Sequence, residues 1–399
     1  AGKGLLNDAG KPVPFIDKVV FSLEKEDIPY WNKFLQGYYD ASGISSDSFD
    51  QAVSIGAGGE VSLTDEMEAQ GIRLTTTVST SIYYTGFNWL DPVVGGNSET
   101  ARKLRQAIAI AVDFVEYISI FLNGRGIPAQ GMLPPGIFGH RRGDAGVNTL
   151  VYDITPEGPR RKPVSEAQRL LAQAGYPEGR DIKTGKPLVL YFDTTATGPD
   201  DKARLDWLRK QFARLNIQLV IRGTDYNRFQ EKMLKGTAQI YQWGWNADYP
   251  DPENFMFLLY GPNSKVGHNG ENASNYQNPE YDRLFEKMKN MENTPERQQL
   301  IDDMVAIARH DSPWLWGFHP KQFSLNHAWY MNSKPNLMAN NTLKYRRINP
   351  ALRKTMQSDW NRPVHWPLLL VAVMLLLVVI PAIIGHRRRQ RQPAYTRQA

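Results

Sequence analysis

The sequence predicts an α/β protein built on a largely parallel sheet, and three observations carry that expectation. Between Pro187 and Trp245, strand-like runs alternate with amphipathic helical runs. Before them, residues 72–88 form one long stretch rich in Thr, Val, Ile and Tyr, which reads as a strand long enough to pass from one domain to another. Near the C-terminus, the residues from Pro367 to Gly385 pass without a single charge, adding a membrane-spanning helix to the α/β body.

Taken in order, FIDKVVFSL (15–23) places Phe15, Val19 and Phe21 on one side of an expected strand. The glycines of IGAGG lead into GGEVSLTDEM, a loop entering a short helix. SETARKLRQAIAIAVDFVEYISIFLNGRG is expected to be one helix. Ala101, Leu104, Ile108, Ala111, Val115 and Ile118 keep a three-to-four spacing, and Gly124 closes it. Asn123 to Gly139 is a Gly/Pro-rich loop. In SEAQRLLAQAGYP, Ser165 is the expected N-cap and Gly175 follows the last turn.

PLVLYFDTT is then a strand, and DDKARLDWLRKQFARLN a helix with Leu205, Leu208, Phe212 and Leu215 on one face. IQLVIRG is a strand, YNRFQEKMLKG a helix with Phe229 and Met233 inward, and AQIYQWGW a strand. Such alternation makes βαβ units with right-handed crossovers. NPEYDRLFEKMKNM and TPERQQLIDDMVAIARH follow as helices, the second with Thr294 as N-cap and Pro295 at its first position. SPWLWGFHPKQFSLNH returns as an aromatic-rich strand.

The chain has 399 residues, enough for two or three domains. It has no cysteine, which excludes disulfides, thiolate catalysis and Cys-based zinc sites. The formal charge is +6, but Arg387, Arg388, Arg389, Arg391 and Arg397 supply five of those charges, leaving +1 for residues 1 to 385. No basic stripe remains to bind nucleic acid.

The apolar run would span about 28 Å as a helix, close to the thickness of a bilayer's hydrocarbon layer. Trp360 and Trp366 precede it and HRRRQR follows it. The positive-inside rule puts that Arg cluster in the cytoplasm and residues 1 to about 360 outside. The run holds no charge of its own to suggest transport, so it is expected to be an anchor. The opening AGKGLLNDAG shows neither an initiating Met nor an apolar signal stretch, and the expectation is a truncated or processed form.

The stretch QIYQWGWNADYPDPENF (239–255) is where chemistry is expected. It follows a strand of an open α/β sheet, and ligands of such sheets bind outside the carboxyl ends of strands. Trp243, Trp245 and Tyr249 offer apolar area with polar handles, and Asp248 and Asp251 offer carboxylates to a cation. Pro250 and Pro252 hold the loop extended. Asp251, before Pro252, is expected to cap the next helix. Asp248 has no such local task. As an acid at a strand end, expected to be buried beside two indoles, it either pairs with a Lys or Arg of the chain or meets a ligand's cation.

Enzyme signatures are missing from the sequence. GxSxG, HExxH and Walker A do not occur; GRDIKTGKP has five residues between its glycines and Pro187 after Lys186. The seven His are scattered, so neither a metal nor another cofactor is expected. Asp248 and Asp251, three apart in a loop, need not face each other as a glycosidase pair would. The aromatics of PWLWGFHP are expected in the core.

Several segments together resemble the bacterial extracellular solute-binding proteins of family 5, the oligopeptide and dipeptide class that serves ABC importers. They are PFIDKVVFSLEKED, STSIYYTGFNW, LRQAIAIAVD, GRGIPAQGMLPPG, WGWNADYPDPENF with LLYGPNS, SNYQNPEYDRLFEKM and SPWLWGFHPKQF. They occur in the family's order over about residues 12 to 345. The resemblance implies a type II periplasmic-binding-protein fold: two lobes joined by crossover strands, with the solute enclosed between them. It divides the chain into a remainder of the N-terminal lobe (1–80), a C-terminal ligand-binding lobe (81–335), and a return segment with linker (336–360). A transmembrane helix (364–385) and a basic cytoplasmic tail (386–399) follow.

In peptide-binding members, the Asp of a GW-x-x-D loop meets the peptide's α-ammonium group. That pattern falls on Gly244, Trp245 and Asp248, with Trp245 lining a side-chain pocket. Tyr83 or Tyr84, and Asn88, either touch the ligand or brace the hinge. The implied partners are a peptide or similar solute, an ABC permease with its ATPase, and the inner membrane, on whose periplasmic side the lobes would sit; no catalysis is expected. The alternatives are an anchored periplasmic hydrolase and a sensory ectodomain. Two departures stand out: most of the family's N-terminal lobe precedes the point where this sequence starts, and the anchor is C-terminal.

Overall fold

A computed structural model describes residues 8, 10–55, 61–199, 201–338 and 341–390. Most of the AGKGLLNDAG opening, most of the IGAGG loop and the last nine residues of the basic tail lie outside the described residues. The body is a mixed sheet with helices on both faces, joined to a smaller unit by two long strands. In that smaller unit, helix α1 (Asp27–Leu35) packs on a hairpin that pairs Val53–Ile55 with Val61–Leu63. Its core gathers Trp31, Phe34, Phe49, Met67 and Leu325.

The 72–88 run does cross between the units. It forms β1 (Arg73–Val78) in the smaller unit, turns slightly at Ser79–Thr80, and continues as β2 (Ser81–Phe87) in the larger one. Two helices follow where one was expected, α2 (Glu99–Ala111) and α3 (Phe114–Leu122). Asp113 interrupts the run by acting as N-cap of α3, its carboxylate accepting from the amides of Val115 and Glu116. Arg161 Nη2 donates to the carbonyls of Ala109, Ile110 and Val112 and satisfies the end of α2. Helix α4 (Val164–Gln173) begins one residue before Ser165, so Pro163 rather than Ser165 stands at its N-cap.

The expected alternation then appears as β3 (Val189–Thr194), α5 (Asp201–Ala213), β4 (Gln218–Gly223), α6 (Tyr226–Leu234) and β5 (Ile240–Asn246). A short helix α7 (Glu253–Met256), then α8 (Pro279–Met288) and α9 (Pro295–Asp311), lead to β6 (Trp314–Asn326). Thr294 caps α9 through the amide of Arg297, as its spacing requires. β6 is the second crossing strand. Its first half pairs antiparallel with β2 and its second half with β1.

The sheet of the larger unit runs β6-β2-β5-β3-β4. β4, β3 and β5 are parallel, whereas β5 meets β2 antiparallel, so the sheet is mixed rather than largely parallel. Alternation along the strands sends side chains to two cores. Phe87, Phe192 and Ile240 join one with α2, α3 and α5, while Ile82, Tyr84 and Tyr241 join the other with α6, α8 and α9. Each fully buried Leu or Phe in these layers contributes on the order of 2 kcal/mol.

One expected strand is not formed. Residues 15–23 are extended but sit outside any ladder, with Phe21 82% and Leu23 96% exposed. A strand is completed by a neighbour's hydrogen bonds, and among the described residues none pairs with this segment in a ladder. At the other end, α10 (Pro350–Trp360) lies against the smaller unit, and α11 (Trp366–Gln390) projects from the body. α11 has a mean hydropathy of 3.1 over its most apolar window, and none of that window is buried by the rest of the chain. It is long and apolar enough to cross a membrane.

Candidate functional site

The loop after β5 is organised by a residue the sequence reading passed over. Asn254, 2% exposed, accepts the amide N–H of Asp248 at 2.8 Å and donates to the Asp248 carboxylate at 3.2 Å. The same Asn254 oxygen accepts Trp245 Nε1–H at 3.3 Å. One buried carboxamide therefore fixes both the acid and the indole. Asp248 itself is exposed, not buried as expected, because the chain leaves the sheet after Asn246 and carries it outward. Among the described residues it has no ion pair with a Lys or Arg of its own chain.

The acid that is taken by an arginine is Asp251. Arg297, 2% exposed, grips it with Nη2 at 2.7 Å and Nη1 at 2.9 Å. Asp251 also accepts the Glu253 amide at 2.9 Å, an N-terminal contact to α7, although Pro252 occupies the N-cap position itself. Its carboxylate is thereby committed to Arg297 and to the start of α7.

The remaining sequence candidates separate by strand alternation. Trp243 and Trp245 lie half-buried on the same sheet face as Tyr84 and Ile82, directly across β2. The Trp243 ring packs 5.3 Å from Phe229, and Trp245 meets Phe257 at 5.2 Å. Tyr84 is 3% exposed and stacked on Trp314 at 3.6 Å, and burial pushes its hydroxyl well above the ordinary range. Asn88 is buried too. It donates to the carbonyls of Gly236 and Ala238 and accepts from Leu90 N and Asn275 Nδ2, so its hydrogen-bonding capacity is spent within the protein. Both side chains are thus packed or hydrogen-bonded within the larger unit. Tyr249 is exposed beside Asp248; partial burial and the Glu253 carboxylate, to which it donates, push it up to about 12.

The opposite face of the crossing strands was missed. Thr75 and Thr77 on β1, Gln322 and Ser324 on β6, and Ser81 and Asn246 where β2 meets β5 line a polar recess of about 400 Å³. Ser81 Oγ donates to Asn246 Oδ1 at 2.7 Å and closes its floor. The recess ends at Ala247, one residue before Asp248. In LTTTVSTS, the Thr and Ser residues read as strand formers; their alternation also marked a polar face, and that was the usable signal. Tyr83 lies on this face, half-exposed and stacked on Phe318 at 5.2 Å. Gly244 makes room for it, since a Cβ there would meet the Tyr83 ring at 2.9 Å. A larger groove, of about 680 Å³, lies along residues 16–24 and shares no residue with the Asp248 loop. Among the described residues, no group of three or more metal-ligating side chains is assembled.

Comparison with known proteins bears on the family and the fold. Heme-binding protein A of Haemophilus influenzae is 27% identical over 222 residues, covering 56% of this chain and 37% of its own length. Di/tripeptide-binding protein 4 of Pseudomonas aeruginosa is 25% identical over 234 residues, covering 58% and 40%. Thus the chain spans about two fifths of the length of these curated relatives. In structure, it resembles the ABC transporter-associated periplasmic binding protein DppA from Helicobacter pylori in complex with the peptide STSA. The TM-score is 0.63 at 18% identity, with 81% of this chain and 55% of that one covered. The oligopeptide-binding protein AppA from Bacillus subtilis, in complex with a nonapeptide, also gives 0.63, at 14% identity and 82% and 59% coverage. The fold is that of type II periplasmic binding proteins. The sequence signature of the bacterial extracellular solute-binding proteins, family 5 (middle region), matches residues 7–267, well over half of the chain, and the chain belongs to that family.

Proposed function

We propose that this chain is the solute-capturing subunit of an ABC importer, taking up a peptide or peptide-like solute between two lobes at the outer face of a bacterial inner membrane. The observation that carries the reading is Asp248, an exposed carboxylate at the carboxyl end of β5, next to Ala247 of the polar recess and, among the described residues, without an ion pair to a Lys or Arg. An α-ammonium group supplies that missing charge, and a charge-assisted hydrogen bond to it is roughly twice as strong as a neutral one. Trp245, held by the same Asn254, walls the site for an apolar side chain.

Polar groups of the recess bond to a solute's backbone, which makes recognition tolerant of side-chain sequence. Closure about β1–β2 and β6 then presents the filled form to a permease, with ATP hydrolysed by a separate subunit. No covalent step and no cofactor enter. α11 serves as a single-pass anchor with its Arg-rich end in the cytoplasm, and tethering beside the permease raises the local concentration for docking. The curated relatives named for dipeptides and di/tripeptides support a peptide as the solute.

The test is Asp248→Asn in the full-length protein, titrated calorimetrically with free-amine and N-acetylated peptides. The free-amine peptides should bind about tenfold or more weaker, a loss of about 1.4 kcal/mol or more, while the acetylated ones bind as before. Equal affinity of wild type and Asp248→Asn for free-amine peptides removes the ammonium role. Retention in the membrane after alkaline carbonate washing checks the anchor.

A further inference from the structure

We propose that α10 is a clamp that fixes the smaller unit to the membrane span, so that the larger, ligand-bearing unit is the one that moves. The proposal rests on α11 being a membrane anchor, as read above. The inner stripe of α10 is Arg353, Met356, Gln357 and Trp360, spaced three and four residues apart as one helix face requires. Arg353 Nε lies 3.2 Å from the Asp40 carboxylate, and Gln357 donates to the Gly37 carbonyl. Just past the helix, Asn361 donates to the Gln36 carbonyl at 3.0 Å.

Trp360 completes an aromatic stack. Its ring is 5.4 Å from Trp329 and 5.2 Å from His327, and His327 is itself stacked on Phe34 at 4.3 Å. The approach of α10 depends on Gly37, in the left-handed region at φ 78°, where a Cβ would sit 3.0 Å from Gln357, 3.1 Å from Trp329 and 3.3 Å from Trp360. All these partners belong to the smaller unit or to the chain just after β6; none lies on β3, β4 or β5.

Residues 361–365 alone separate α10 from α11. Five residues reach at most about 17 Å, so the smaller unit stays against the bilayer surface. Among the described residues, the larger unit has no such tie. It connects to the clamped unit through the crossing strands and a few polar contacts, such as Arg125 to the Ile44 carbonyl and Ser46 to the Phe121 carbonyl. Lobe closure is then a swing of the larger unit toward a stationary partner, which presents one constant face to the permease.

The absence of native cysteine makes the test direct. Single cysteines at exposed Ala69 in the smaller unit and exposed Lys210 in the larger one take a donor dye, in full-length chain reconstituted in phosphatidylcholine–phosphatidylglycerol vesicles with acceptor-labelled headgroups. Time-resolved transfer should give a narrow distance distribution from Ala69→Cys and a broader one from Lys210→Cys. A ten-residue Gly/Ser insertion after Asn361 leaves clamp and span intact but adds about 17 Å of flexible reach, and it should broaden the Ala69→Cys distribution. Trp360→Ala should broaden it as well. A distribution from Ala69→Cys as broad as that from Lys210→Cys, or one untouched by the insertion, overturns the clamp while the protein remains in the vesicles. Protein that floats free of the vesicles overturns the anchor itself, and the clamp with it.

Discussion

Asn254 holds Asp248 from both ends, accepting its backbone N–H and donating to its carboxylate. The acid thereby projects outward yet does not wander, which is what a recognition group needs, because ordering it at the moment of binding would cost affinity. Asn254→Ala should weaken capture of free-amine peptides severalfold and lower folding stability by about 1–3 kcal/mol, the cost of leaving Asp248 N–H and the Trp245 indole without their acceptor. Calorimetric titration and urea unfolding of the same variant separate the two effects.

The Arg297–Asp251 pair makes a contrasting prediction. Arg297 is buried, and Asp251→Asn leaves its guanidinium without a counter-charge. Removing one partner of a buried pair costs about 3–5 kcal/mol, and the partial exposure of Asp251 puts this variant at about 3 kcal/mol. The midpoint of urea unfolding should fall sharply. Peptide discrimination between free and acetylated amines should survive in the folded fraction.

Gly317 sits at the register shift where β6 passes β2, and a Cβ there would press into the Tyr83 carbonyl, a backbone atom that cannot step aside. Gly317→Ala should cost about 1–3 kcal/mol and disturb the Tyr83–Phe318 stack. Loss of protection at the β2 amides in hydrogen exchange, with α8 and α9 unaffected, is the expected pattern.

Acid should weaken the fold through two histidines. Burial holds both His319 and His327 near 4, below the ordinary 6.5, because a charged ring is disfavoured away from water. The unfolded chain therefore takes up protons that the folded chain refuses. Stability is full above about pH 6.5 and declines as pH falls toward 4, by roughly 1 kcal/mol per pH unit for each ring. Unfolding midpoints at pH 7 and pH 5 measure the decline, and His327→Gln should remove roughly half of the histidine contribution.

Local features of this fold were legible and remote ones were not. β3-α5-β4-α6-β5 follows from apolar spacing alone, since Leu208, Phe212, Phe229 and Met233 all face inward as their period requires. The break between α2 and α3 combines a local cap, Asp113, with Arg161, a group some fifty residues away that satisfies the end of α2 and that no local pattern announces. Asp248 was identified as the acid of interest but wrongly expected in the interior, because exposure after a strand end depends on where the loop turns. Asn254 escaped notice because its partners lie across two prolines. Residues 15–23 carry a strand's alternation without a strand's neighbours, and alternation reports only which side chains prefer an apolar face.

β6 also sets a timing between the two halves of the molecule. Trp314, Leu315 and Trp316 belong to the larger unit's cores, and Leu325, nine positions beyond Trp316, is sealed in the smaller one. Beyond the register shift at Gly317 the strand alternates, so deleting a single residue near Lys321 would turn the side chains that follow in β6 inside out while leaving those before it in place. Surface loops here can lengthen through evolution at little expense; this thread tolerates only changes that preserve parity.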